Sequence, residues 1–144
     1  MTKDRLRRYR DLLAEKVQLE QQLETIEGVL HNPKIQQLKQ TPRASSKGNP
    51  TEDLIAKHLE LMDRYRDKLA ELTMEQLAIE EAIERLPNRE RNVLRAYYIR
   101  GLTWEEVAVD IGYTWRHVHR IHSSALQLLA VMEEGGNDDK KEVR

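Results

Sequence analysis

The sequence predicts an all-α protein, built as an N-terminal antiparallel helical hairpin of coiled-coil type followed by a compact helical domain. Three observations carry this. Apolar residues recur every seven positions over two long stretches. Of 144 residues, 39% are hydrophobic and 34% charged, with no Phe, six Gly and four Pro, a balance that suits amphipathic helices rather than strands. Helix-starting signatures stand directly before apolar runs at residues 49–52 and 103–106.

Residues 5–31 read as the first helix. Leu12, Leu19 and Ile26 repeat at sevens, with Tyr9, Leu23 and Leu30 interleaved and Lys16 interrupting the seam. Residues 32–50 read as a linker, with Pro33, Pro42 and Pro50 around the polar run Arg43-Ala44-Ser45-Ser46-Lys47-Gly48-Asn49 and room for a short helix at 34–40. Asn49 is placed to cap the next helix, and Pro50 suits its first position. Residues 51–86 form the longest expected helix. Met62, Leu69 and Ile83 share one heptad position with Gln76 as its polar exception, and Tyr65, Leu72, Ile79 and Leu86 share the other. So narrow an apolar stripe needs a partner helix. The first helix folded back supplies it, and a second copy of the chain is the other candidate, giving a homo-oligomer through 51–86. The expected domains are therefore a hairpin over 1–86, a compact domain over 87–132, and a disordered tail over 133–144, where apolar periodicity ends.

The compact domain carries the motif. Pro87 ends the long helix, and a helix over 88–100 turns Val93, Leu94 and Tyr97 inward. Gly101 provides a turn. Thr103-Trp104-Glu105-Glu106 is a capping box opening a helix that buries Val107, Ala108 and Ile111. Gly112 suits the left-handed residue that ends this helix, and Thr114 caps the next. Ala108, Gly112 and Val118 stand at the spacing that two helices joined by a short turn require: a small residue at the crossing, glycine in the turn, an aliphatic anchor beyond it. In such a helix-turn-helix the second helix enters the major groove of DNA. With Val118 and Ile121 inward, Trp115, Arg116, His119 and Arg120 share its outer surface. The expected DNA-binding residues are Thr103, Thr114, Trp115, Arg116, His117, His119 and Arg120. Arginine can fork onto guanine or hold a phosphate.

Residues 86–129 resemble region 4 of bacterial RNA polymerase sigma factors. Leu86-Pro87, Arg89-Glu90, Gly101-Leu102-Thr103, Glu105-Glu106-Val107-Ala108, Ile111-Gly112, Thr114, Val118, Ile121 and Ala125-Leu126 carry the likeness. With the hairpin included, the chain is similar to small sigma-like proteins of phages and prophages, among them late-transcription regulators of the RinA and ArpU kind. The resemblance implies a sequence-specific transcription regulator that binds double-stranded DNA, with RNA polymerase as a further partner. Trp115 and Arg116 depart from the usual recognition helix, so the promoter element of sigma factors is not carried over. No stretch resembles sigma region 2, and a complete sigma factor is not expected.

The remaining classes are weaker. Cys is absent, which excludes disulfides and thiolate chemistry. His119 and His122 share a helix face but His117 lies round from it, so no metal site is expected, and no cofactor. No constellation points to an enzyme. Net charge is −1, but residues 114–122 hold Arg116, Arg120 and three His without an acid. Arg5, Arg7, Arg8 and Arg10 make a basic run whose default reading is a solvated face, with an auxiliary DNA contact as the alternative. No signal peptide or membrane span is read, and the expected location is the cytoplasm of a bacterial host. Two alternatives share the same pattern: a DNA-packaging protein like phage small terminase subunits, and a polymerase-docking module without DNA binding of its own.

Overall fold

The computed structural model describes residues 1–34 and 49–141, the stretch 136–141 as backbone alone. Helices are the only regular elements among the described residues, as expected. They are α1 (Lys3–Leu30), α2 (Pro50–Ile83), α3 (Asn88–Leu94) with a π-helical continuation (Arg95–Ile99), α4 (Trp104–Ile111) and α5 (Trp115–Lys141). The expected short helix and most of the linker lie outside the described residues. No described helix is long and apolar enough to cross a membrane.

Each start has a local cause. The Thr2 hydroxyl accepts from the Arg5 amide at 3.3 Å and opens α1. Asn49 Oδ1 accepts from the Thr51 amide at 3.0 Å, with Pro50 at the first helical position where its missing donor costs nothing. Thr103 and Thr114 cap α4 and α5 by accepting from the amides of Glu106 and His117, each at 3.2 Å.

Contacts divide the chain into two units that cut across the expected hairpin-and-head division. Within residues 14–71, α1 and α2 segments run antiparallel. Glu15 meets Lys68 at 2.8 Å, Glu20 meets the Tyr65 hydroxyl at 2.7 Å, and Glu27 meets His58 at 3.2 Å. Leu19, Leu23 and Leu61 are buried between them. The expected seam is displaced here: Leu61 is 2% exposed and Met62 43%. A straight α-helix drifts by about 20° per heptad. Over the heptads separating Met62 from Ile83, the inward place passes to the preceding residue.

The other unit joins residues 1–13 to residues 72–144. Leu6, Tyr9 and Leu12 of α1 share a core with Leu72, Ile79 and Ile83 of α2, Leu94, Tyr98, and Ala125 and Leu129 of α5. Paired hydrogen bonds from Arg5 to Glu75 and from Arg95 to Glu80 flank it. A second core holds Val93, Ala96, Val107, Val118 and Ile121. The π segment decides which side chain enters which core. The Arg100 amide reaches the Arg95 carbonyl five residues back, at 3.0 Å. This rotates the end of the expected regular helix: Tyr98, 1% exposed, is buried and Tyr97 only partly so, where Tyr97 alone was expected inward.

Residues 133–141, expected within the tail, are helical. α5 continues through Lys141. The Met1 ammonium pairs with Glu133 of this helix.

Gly112 adopts φ +79° and sends its amide to the Ala108 carbonyl at 2.9 Å, as does Tyr113 at 3.0 Å. A Cβ there would touch nothing within 4 Å, so a side chain is opposed by backbone strain alone. Gly112→Ala is expected to lower stability by about 1–2 kcal/mol in urea unfolding of the full chain. An unchanged midpoint would contradict the assigned turn.

Tyr98 and His122 share a buried hydrogen bond of 2.8 Å. Burial, then the positive charges of Lys3 and Arg7 and the neighbouring His119 ring, lower the His122 pKa from 6.5 to about 4. Burial and the adjoining Tyr97 push Tyr98 up to about 12. His122 is therefore neutral when folded, while the unfolded chain takes up a proton near pH 6.5. Its stabilising contribution is complete above that pH and declines as pH falls from 6.5 toward 4. We expect unfolding measured across this window to show that decline, and His122→Gln to flatten it. A His122 ring resonance titrating at 6.5 in the folded protein would refute the assignment.

Candidate nucleic-acid interface

The candidate surface is the first half of α5, presented by the turn Gly112-Tyr113-Thr114. Val118 and Ile121 are buried against Val93, Ala96 and Val107, which fixes the rotation of α5 about its axis. Trp115 is consequently 52% exposed, and Arg116 and Arg120 are exposed. Neither arginine has a hydrogen-bond or ion-pair partner among the described residues. The first turn of α5 holds no acidic residue, whereas that of α4 holds Glu105 and Glu106. The partial positive charge of a helix start is thus offset by side chains on α4 and left open to an external anion on α5.

The other expected residues are placed less directly. Thr103 and Thr114 are exposed, and both hydroxyls accept cap hydrogen bonds, so their first role is local. His117 is half-buried, with its ring 4.8 Å from that of Tyr113. His119, expected on the outer surface, is half-buried between two indoles, its ring centre 3.8 Å from Trp115 and 4.5 Å from Trp104. Its Nε2 is buried without a hydrogen-bond partner. Two flat apolar faces hold the imidazole, and this displaces it from the role of a freely presented donor. The structure brings Trp115 and His119 together and leaves Arg116 and Arg120 free toward solvent.

Behind this surface lies a column of stacked groups. Trp104 lies parallel to Tyr97 at 3.7 Å and 11°, and the Arg10 guanidinium sits 3.8 Å above the Tyr97 ring. Arg10 also donates to the carbonyls of Tyr97 and Leu102 at 2.6 and 2.9 Å. Those carbonyls lie at the end of the π segment and beyond it, where the regular ladder leaves acceptors unused. Gly101 adopts φ +71° there, and a Cβ on it would come within 3.0 Å of Leu13. Arg10, Tyr97 and Trp104 thus lie behind the first half of α5. The Arg10 role was not legible as such, because its partners lie 87 and 92 residues away.

Titratable clusters suited to a metal are absent among the described residues. The arrangement offers guanidinium forks, an exposed indole and an uncompensated helix start, which suit a polyanion with flat bases rather than bond-making chemistry.

Comparison with known proteins agrees with this geometry. Residues 82–130 match the family Sigma-70, region 4. The RNA polymerase sigma-G factor of Bacillus subtilis is 37% identical over 54 residues, which cover 38% of this chain and 21% of that protein. The matched segment thus spans about one fifth of the length of that curated relative. No solved structure matches the chain. Residues 82–130 are thus similar to sigma region 4, and the described helices in that stretch form a helix-turn-helix.

Proposed function

We propose that this chain is a sequence-specific transcription regulator, of the kind encoded by phages and prophages, that binds double-stranded DNA through the first half of α5. One observation carries the reading: Arg116 and Arg120 project from a buried, rotationally fixed helix with no protein partner among the described residues. Trp115 packs on sugar or a thymine methyl beside them. Thr103, Thr114, His117 and His119 set the edges of the contact, with Thr114 at the helix start that is left open to phosphate. Phosphate contacts supply affinity and the arginines supply selectivity. RNA polymerase is proposed as a second partner, on the strength of the region 4 match. A second copy of the chain is proposed to pair through α2, where Ile55, Leu59 and Met62 share one exposed face. The cytoplasm of a bacterial host is the corresponding location.

Selection of bound sequences from a random duplex pool with the full chain is expected to yield a defined site. Arg116→Ala and Arg120→Ala are each expected to weaken binding to that site by about 1–3 kcal/mol and to relax selectivity at the base pair they read. Titration of each variant against the selected duplex and against single-base variants of it checks this. Unchanged affinity and selectivity in both would remove the assignment.

A further inference from the structure

The recognition helix has a basic neighbour from the opposite end of the sequence. α1 is seated beside α5 by apolar and ionic contacts together. Leu6 and Tyr9 are buried in one core with Ala125 and Leu129, and the Met1 ammonium pairs with Glu133. Arg10 is anchored on Tyr97 and on the Leu102 carbonyl. These contacts fix the rotation of the first turns of α1 as firmly as Val118 and Ile121 fix α5.

Arg7 and Lys3 lie one turn and two turns before Arg10 on the same stripe of α1, at the three- and four-residue spacing that aligns side chains. Asp4 and Asp11 occupy the adjoining face. Both Lys3 and Arg7 are exposed, with no hydrogen bond or ion pair among the described residues, whereas Arg5 is held by Glu75 and Arg10 by carbonyls. Their charge is felt on α5: after burial itself, Lys3 and Arg7 are among the causes that keep His122 neutral. His122 is one turn beyond His119, which touches both Trp104 and Trp115. Two unspent cations thus flank the helix that carries Arg116 and Arg120.

We propose that Lys3 and Arg7 form a second phosphate-binding track, which grips the DNA backbone beside the groove entered by α5. The ligand is duplex phosphate, so the track contributes affinity for any sequence and leaves selectivity to α5. The inference rests on the proposed DNA binding of the recognition helix.

The test uses the full chain with two duplexes, the one it selects from a random pool and one of unrelated sequence. Binding is measured over a range of salt concentrations. Each phosphate neutralised contributes about 0.9 to the slope of log affinity against log salt. The double variant Lys3→Ala with Arg7→Ala is expected to lower that slope by about 2 on both duplexes, with the preference between them unchanged. The charge-preserving pair Lys3→Arg with Arg7→Lys is expected to keep the slope, and the melting temperature of both variants to match the parent. A parent that binds with the same slope as the alanine variant overturns the track and leaves the α5 reading standing. An equal loss in the charge-preserving pair also overturns it, since the contact would then not be charge neutralisation. A parent that binds neither duplex overturns the α5 reading and the track with it.

Discussion

The two cores that meet α5 are tied together by this one continuous helix. α5 contributes Val118 and Ile121 to the core formed with α4, and Ala125 and Leu129 to the core formed with the start of α1 and the end of α2. A rigid rod seated at two places has little freedom to rotate. The exposed residues at its start are therefore positioned by contacts made up to four turns away. Everything proposed about this protein depends on that seating. Trp115, Arg116 and Arg120 face outward because Val118, Ile121, Ala125 and Leu129 face inward.

The polar groups around α5 follow the same logic. His122 is accommodated among apolar residues because the Tyr98 hydroxyl satisfies its ring, and it stays neutral because neighbouring positive charges and burial both oppose a proton. His119 is clasped by Trp104 and Trp115. The histidines of this helix thus do different work from the arginines. His119 and His122 belong to an aromatic wall that reaches back through Tyr97 to Arg10.

Local chemistry was the part most legible in the sequence. The caps at Thr103, Thr114 and Asn49, the left-handed glycine at 112 and the inward pair Val118 and Ile121 each act over four residues or fewer, so composition at fixed spacing specifies them. The all-α fold and the antiparallel pairing follow from the heptads. Features that depend on distant partners were hidden. The π segment changes the inward residue from Tyr97 toward Tyr98, and its carbonyl acceptors are met by Arg10 from the far end of the chain. Seam drift placed Leu61 rather than Met62 inside. In the candidate interface, exposure of Trp115, Arg116 and Arg120 follows from the inward pattern, whereas the clasp on His119 needed the position of Trp104.

The most direct test of the central claim is to map the duplex onto the chain by amide chemical shifts, titrating the 144-residue chain with its selected duplex. The account predicts that the largest changes fall on residues 114–120, with smaller ones at the start of α4. Changes concentrated on α2 with residues 114–120 undisturbed, under conditions where the duplex is bound, would contradict it.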